Sequence, residues 1–129
     1  MAGIRIEVDI YSGRRNPSWE PSDAEIEDVR RRLERSRGER RGERRQPPTL
    51  GYRGFVIRNP KLEANLPYRV EVFGGFIEVV EIDKDADGER PRTEVYADSG
   101  DLERSLLNAA ASREMADDIM AMGGPRYRE

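Results

Sequence analysis

The residues with the most specific chemical spacing lie between positions 83 and 94. Asp83, Asp85 and Asp87 alternate before a glycine, and Glu94 follows after five further residues. This spacing matches the loop of an EF-hand, where carboxylate oxygens surround Ca²⁺ and a final glutamate closes the site. The flanking residues favour strands rather than helices, and Asp-Gly segments are also common in turns. Two interpretations therefore stay open, a Ca²⁺ site and a solvated hairpin loop.

A second group of candidate residues lies in a turn after the first apolar segment. Arg14, Arg15 and Asn16 precede Trp19, which is the only tryptophan of the chain. A guanidinium group binds a carboxylate or phosphate through two parallel hydrogen bonds, and it also stacks on indole rings. We predict a ligand-binding role for Arg14, Asn16 and Trp19. The alternative is a structural turn in which Trp19 covers the edge of a sheet.

A third candidate is the dipeptide of Tyr52 and Arg53, which lies between two glycines in Leu-Gly-Tyr-Arg-Gly-Phe. Glycine inside a strand often marks a bulge or a close approach of the backbone. A bulge here would turn both side chains in a new direction. Tyr52 could then form hydrogen bonds to a ligand, and Arg53 could bind an anion. We predict that both residues join the turn in one binding site. The alternative is a bulge that only bends the sheet.

These two segments, residues 9–19 and 50–55, resemble segments of a family of small bacterial proteins. In that family Ser-Gly-Arg-Pro-Asn-Pro precedes a tryptophan and Leu-Gly-Tyr-Arg-Gly-Phe follows downstream, whereas Arg15 replaces the first proline here. The similarity extends over about residues 4–107, and the tail after residue 110 departs from it. The family has no assigned activity. The resemblance therefore implies importance for both candidate groups and no particular reaction.

A strongly basic stretch occupies residues 30–45, with nine arginines and three glutamates. Its net charge of +6 contrasts with a formal net charge of −3 for the whole chain. Such a stretch could neutralise several phosphates of a nucleic acid. It lacks interleaved aromatic residues for base stacking, so a solvated helix face followed by a loop is the alternative. Pairing with the acidic tail of a second copy, as in a homodimer, also stays open.

The chain contains no cysteine and no histidine. Disulfides, thiolate nucleophiles, Ser-His-Asp catalysis and the usual Cys/His zinc sites are therefore excluded. The sequence also lacks a P-loop and a nucleophile elbow. We expect a small binding or accessory protein that holds an anionic ligand or a partner segment, with Ca²⁺ as the one cofactor that a motif suggests. A carboxylate-based or divalent-cation-dependent enzyme is the alternative.

Hydrophobic periodicity predicts the elements that would position these residues. Apolar residues alternate with polar ones, or cluster between turn signals, in five segments that we expect to be strands. They lie at about residues 4–10, 50–57, 68–73, 76–82 and 93–97. A Gly-Gly pair predicts a hairpin between the third and fourth strands, and a loop is expected at 83–92.

Helices are predicted at three places. Ser22 begins a capping-box pattern, so a helix is expected over about residues 22–36. Further helices are expected from Ser99 and from Ser112, ending at the glycines before Pro125. A mobile loop is expected at about 37–48 and a frayed tail after about 123.

Together these elements predict one α+β domain spanning residues 1–129. Its core would be a single four- to five-stranded, mostly antiparallel sheet with helices packed on one face. No apolar run approaches the length that spans a bilayer, and the N-terminal residues do not resemble a signal peptide. We therefore expect a cytoplasmic protein without a membrane association.

Overall fold

The computed structural model describes residues 3–11, 13–42, 46–48, 50–85 and 88–125. Within these residues one antiparallel sheet carries three helices. The strands are β1 (Arg5–Val8), β2 (Ser18–Trp19), β3 (Arg40–Arg41), β4 (Phe55–Arg58), β5 (Arg69–Phe73), β6 (Phe76–Asp85) and β7 (Gly88–Ala97). The helices are α1 (Asp23–Ser36), α2 (Leu102–Ala111) and α3 (Ala116–Ala121). The spatial order of the strands is β2-β1-β4-β5-β6-β7-β3.

The α+β class is confirmed, but the sheet has seven strands rather than four or five. The two additional strands are β2 and β3, which form the two edges of the sheet. Each has two residues, so neither is long enough to show an alternating pattern in the sequence. Strand β3 also lies inside the predicted mobile loop, where Arg40 and Arg41 pair with Tyr96 and Val95 of β7.

The loop predicted at residues 83–92 is wrong, because β6 extends to Asp85 and β7 begins at Gly88. Their pairing is unbroken from Phe76 opposite Ala97 to Asp85 opposite Gly88. Strand β5 pairs with β6 only as far as Val80, so the remaining part is a two-stranded ribbon. Backbone hydrogen bonds between the two strands hold this ribbon. Its described side chains are exposed or half-buried, so the ribbon does not need the apolar alternation that marks a strand in the sequence.

The hairpin predicted around Gly74 and Gly75 is confirmed. Phe73 pairs directly with Phe76, and the two glycines between them form the turn. Both have positive φ values, 63° and 89°. A two-residue turn with positive φ at both positions matches the right-handed twist of the strands, and glycine adopts it without steric cost.

Strand alternation separates a buried face of the sheet from a charged one. The buried face joins residues of all three helices in a single hydrophobic cluster. Its fully buried strand residues include Ile6, Val8, Phe55, Ile57, Val70, Val72, Ile77 and Val79. The opposite face carries the charged residues that alternate with them, among them Arg5, Glu7, Arg58, Arg69 and Glu71. The helices pack on the buried face, so they do not cover functional groups on the charged face.

The predicted position of helix α1 is confirmed. Ser22 is its N-cap: the Ser22 hydroxyl accepts a hydrogen bond from the Glu25 N–H at 3.2 Å, and the Glu25 carboxylate accepts one from the Ser22 N–H at 2.9 Å. This reciprocal pair satisfies two donors that a helix N-terminus otherwise leaves unpaired. Val29 and Leu33 are buried against the sheet.

The other two helices begin later than predicted. Helix α2 starts at Leu102 rather than near Ser99, because the Asp98 carboxylate accepts hydrogen bonds from the N–H groups of Leu102 and Glu103. Helix α3 starts at Ala116. None of the helices in the described part of the chain is long and apolar enough to cross a membrane.

Candidate functional site

An open basin on the helix-free face of the sheet collects the candidate arginines of the turn. Arg5 of β1 and Arg58 of β4 are directly opposite each other in the register. Arg14 and Arg15 reach the same place from the turn between β1 and β2. The arginine basin, as we call it, is lined by Arg5, Glu7, Arg14, Arg15, Asn16, Ser18 and Arg58. It encloses about 540 Å³.

The charge of the arginine basin is strongly positive. Its lining holds four arginines and one carboxylate, Glu7, which gives a net charge of +3. Glu7 forms an ion pair with Arg58 at 2.9 Å and accepts a hydrogen bond from the Asn16 amide at 2.8 Å. Because one carboxylate cannot neutralise four guanidinium groups, the basin retains a positive field toward solvent.

Three of these arginines have no described carboxylate partner. Arg5 donates to the hydroxyl of Ser18 at 2.9 Å, and the guanidinium of Arg14 lies 3.8 Å from the centre of the Tyr11 ring. Arg15 is exposed and has no hydrogen bond or ion pair to a residue that the structure describes. The donors of Arg14 and Arg15 are therefore available to a bound anion.

Asn16 and Arg53 hold the turn that carries these arginines. The Asn16 side-chain oxygen accepts hydrogen bonds from the N–H groups of Ile10 and Tyr11, at 3.0 and 2.7 Å. Arg53 donates to the Asp9 carboxylate at 2.9 Å and to the Tyr11 carbonyl at 2.7 Å. The structure thus gives both residues a positioning role, whereas their predicted contact with a ligand stays a prediction.

Trp19 does not line the arginine basin. It lies in β2 on the buried face, 7% exposed, with its ring edge-on to Phe55 at 6.5 Å. The arginine that stacks on it is Arg113, at 4.8 Å, rather than Arg14 or Arg15. Arg113 is held there by an ion pair with Glu25 at 2.8 Å. Trp19 therefore covers the core near the sheet edge, as the structural alternative for this turn described.

Tyr52 lies in a different place from Arg53, although the two are adjacent in sequence. It is buried and lines a second cavity of about 570 Å³. We call this the Glu103 cavity. Its lining is Tyr52, Phe73, Gly74, Gly75, Asp98, Asp101, Glu103, Arg104, Leu107, Asn108, Gly123 and Pro125. The five predicted ligand-binding residues therefore do not share one cavity.

A partly buried hydrogen bond connects Tyr52 to Glu103 inside this cavity. The Tyr52 hydroxyl donates to one Glu103 oxygen at 2.5 Å, and the Gly74 N–H donates to the other at 3.0 Å. Burial raises the pKa of Glu103 above its usual value, because the apolar surroundings disfavour its charged form. Burial also raises the pKa of Tyr52, and the nearby Glu103 charge adds to this effect. Tyr52 therefore keeps its proton and acts as a donor.

Sequence reasoning did not find Glu103. It is one of many glutamates, and its partner Tyr52 lies 51 positions earlier in the chain. Its neighbour Asp101 has a left-handed backbone with φ of 54° and makes no capping hydrogen bond, because Asp98 caps the helix instead. An unusual backbone at a cavity wall is a signal that only coordinates reveal.

The described residues of the calcium motif lie on β6 and β7: Asp83 and Asp85 belong to the ribbon, whereas Glu94 pairs with Val79 inside the sheet. Arg92 stands between two of them, 2.9 Å from the Asp83 carboxylate and 3.0 Å from that of Glu94. The backbone of Asp85 ends β6, and Asp87 lies outside the described residues. Among the residues that are described, no group of three or more carboxylates is positioned to hold a metal ion. Calcium binding stays a prediction, without support from this geometry.

Most described arginines of residues 30–45 already have acidic partners. Residues 43–45 lie outside the described part. The paired arginines are Arg30, Arg31, Arg32, Arg37, Arg40 and Arg41. This stretch therefore presents less free positive charge than its composition suggests. Contact with a nucleic acid stays an untested prediction.

Comparison with known proteins assigns no family to this chain. No model of a protein family matches the sequence, and neither a curated protein nor a solved structure matches it. A functional proposal therefore depends on the geometry of the two cavities.

Proposed function

We propose that this protein binds a multiply charged anion in the arginine basin. The observation that carries the proposal is the convergence of four guanidinium groups on one open concavity with a single carboxylate. Binding rather than catalysis is proposed, since the Ser18 hydroxyl of the lining is held by Arg5 and the Glu7 carboxylate by Arg58 and Asn16, so neither is free to act as a nucleophile or a base. The chain has no histidine or cysteine to supply either role.

Two structural features support a specific site rather than a diffuse basic surface. First, Arg5 and Arg58 lie opposite each other on the neighbouring strands β1 and β4, so their Cα atoms are fixed by the register. Second, the turn carrying Arg14 is closed by Asn16, whose single side-chain oxygen accepts two backbone hydrogen bonds. Guanidinium groups whose backbones are fixed in advance lose less freedom when an anion binds.

The size and charge of the basin indicate the class of ligand. A volume of about 540 Å³ lies within the range of roughly 300–1,000 Å³ that small-molecule sites occupy. A net charge of +3 favours an anion with two or more charges over a single carboxylate. Planar guanidinium groups match the oxygen pairs of phosphates and carboxylates. Phosphate-containing compounds are therefore the first ligands to test.

The test is a calorimetric titration with inorganic tripolyphosphate at low ionic strength. We expect binding that weakens as salt is added, because charge pairing releases ions. Arg15→Gln should weaken binding about tenfold, the value of one or two charge-assisted hydrogen bonds. Arg35→Gln is the matched control, because Arg35 is an exposed residue of α1 outside the basin and its loss changes the net charge equally.

A third variant separates charge from shape. Arg15→Lys keeps the charge but loses the planar pair of donors, so it should bind with an affinity between those of the parent and Arg15→Gln. Equal weakening by Arg15→Gln and Arg35→Gln would reduce the effect to net charge and contradict a site in the basin. Absence of any heat with tripolyphosphate at low salt would contradict the proposal as a whole.

A further inference from the structure

The Glu103 cavity combines an apolar wall with an acidic one. Phe73, Leu107 and Pro125 supply apolar surface, and the ring of Tyr52 lies 6.0 Å from that of Phe73. Glu103 lines the same cavity and accepts a hydrogen bond from the Tyr52 hydroxyl. Small-molecule sites are typically mostly apolar with a few polar groups that converge on the ligand.

The charges that face Glu103 are predominantly negative. Asp98, Asp101 and Glu103 contribute three carboxylates to the lining, and Arg104 contributes the one described positive charge. The Asp98 carboxylate is engaged with backbone N–H groups of α2. No hydrogen bond or ion pair joins the side chains of Asp101 and Arg104 to other described residues. The described lining of the cavity therefore has a net charge of −2, opposite in sign to that of the arginine basin.

Glu103 retains acceptor capacity after its hydrogen bonds within the protein. Each carboxylate oxygen can accept two hydrogen bonds; in Glu103 Tyr52 donates to one oxygen and Gly74 to the other, and the Gly75 N–H is a further donor to the group. These donors also fix the orientation of the carboxylate. An arriving N⁺–H group would meet an oriented acceptor in partly dry surroundings, where charge-assisted hydrogen bonds are strongest.

We propose that the Glu103 cavity is a second binding site, which takes an amphipathic organic cation with a primary ammonium group. The ammonium group lies on Glu103 with Asp101 at the rim, and the apolar part of the ligand packs between Phe73 and Leu107. The aromatic faces of Tyr52 and Phe73 add attraction for the positive charge. An anion is disfavoured here, because it would meet three carboxylates.

The probe for this site is 2-phenylethylammonium, with the neutral 2-phenylethanol as its matched comparator. Binding is followed by nuclear magnetic resonance through the backbone amide of Gly74, which donates directly to Glu103. We expect the ammonium compound to shift this amide in a saturable manner and the alcohol to bind at least about tenfold more weakly. Equal binding of the two compounds would overturn the proposal, as would an unshifted Gly74 amide.

Variants locate the charge responsible. Glu103→Gln keeps an acceptor for Tyr52 and removes the charge, so it should weaken the ammonium compound about tenfold or more. Glu89→Gln is the control, since Glu89 lies on the distal ribbon and its loss changes the net charge equally. Retained affinity in Glu103→Gln, or an equal loss in Glu89→Gln, would contradict the site.

A second variant decides the case if Glu103→Gln does not fold. Asp101→Asn removes a charge at the rim without removing a described hydrogen bond, and asparagine tolerates the left-handed backbone found there. It should weaken binding of the ammonium compound by about twofold to fivefold at low ionic strength. An unchanged affinity in that variant would overturn the assignment.

Discussion

The two cavities use charged side chains in opposite ways. In the arginine basin the charges are exposed, and Arg5, Arg14 and Arg15 have no described acidic partner. In the Glu103 cavity the central carboxylate is half-buried, and both its oxygens accept hydrogen bonds from the protein itself. Exposed charges contribute little to folding and are free for a ligand. A buried charge must first be satisfied by the fold, so it affects stability as well as binding.

The segment of Tyr52 and Arg53 connects these two regions. Its first residue lines the Glu103 cavity, and its second holds the turn of the arginine basin through Asp9. The backbone of this segment is also hydrogen-bonded on both sides, from Tyr52 to the Met122 carbonyl and from Arg53 to the Asp9 carbonyl. Changes in its backbone should therefore disturb both sites, whereas side-chain changes should separate them.

The largest effect is expected from Gly54→Ala. Gly54 has φ of 91°, and an added Cβ would lie 1.9 Å from the carbonyl oxygen of Val72. The rigid strand β5 cannot yield to this contact, so we expect the free energy of unfolding to fall by about 3–5 kcal/mol. Chemical denaturation measures it.

Gly13→Ala is the control for this prediction. Gly13 also has a positive φ, 81°, but an added Cβ would have no neighbour within 4 Å. Only the backbone strain remains, and the cost should be about 1–2 kcal/mol. Equal losses in the two variants would show that the contact with Val72 does not determine the stability of this segment.

Tyr52→Phe and Arg58→Gln compare a partly buried pair with an exposed one. Removing the Tyr52 hydroxyl leaves an oxygen of Glu103 without its donor, and we expect a loss of about 1–3 kcal/mol in the free energy of unfolding. Arg58 forms its ion pair with Glu7 while 52% of its side chain is exposed, so Arg58→Gln should cost about 0–1 kcal/mol. A reversed order in denaturation experiments would contradict this difference between the two sites.

The pH dependence of stability provides a test that is specific to Glu103. Burial raises the pKa of Glu103 in the folded state, so the folded protein holds its proton more tightly than the unfolded chain. The contribution of this group to stability is therefore fully present below its unfolded pKa of 4.5 and is lost as pH rises through the folded value. Glu103→Gln should lack this decline. Urea denaturation of both proteins between about pH 4 and 8 measures the difference.

Other carboxylates change stability in the opposite direction. Burial alone would raise the pKa of Asp28, but hydrogen bonds from Ser105, Arg32 and Arg31 outweigh it and lower the pKa. Its contribution is present above the unfolded pKa and is lost as pH falls through the lowered one. The Asp28 contribution is the same in the parent protein and in Glu103→Gln, so subtracting the two free energies of unfolding leaves the contribution of Glu103. If the free energy of the parent minus that of the variant rises with pH, the assignment is contradicted.

The smallest effect on stability is expected in the arginine basin itself. Arg15 is exposed and has no described partner, so Arg15→Gln should change the free energy of unfolding by less than about 0.5 kcal/mol. The same variant is expected to weaken tripolyphosphate binding. A variant that alters binding while its denaturation curve is unchanged would separate the ligand-binding charges from the structural ones. A clear loss of stability would instead give Arg15 a structural role.

Much of the fold was predictable from local patterns. The capping box of Ser22 and Glu25 predicted helix α1, and the Gly74–Gly75 pair predicted a hairpin. These signals involve residues a few positions apart, so their contacts form whatever the rest of the chain does. The edge strands β2 and β3 gave no such signal, because two residues become a strand only when a neighbouring strand pairs with them.

Local patterns were enough to predict the α+β class, the helices and the longer strands, and the composition excludes thiol and imidazole chemistry. They did not predict that Arg5 and Arg58 lie beside Arg14 or that Tyr52 contacts Glu103. These contacts join residues more than 40 positions apart, which sheet register and helix packing bring together. No local preference in the chain specifies these long-range contacts. They follow from the burial of one hydrophobic cluster between the sheet and its helices.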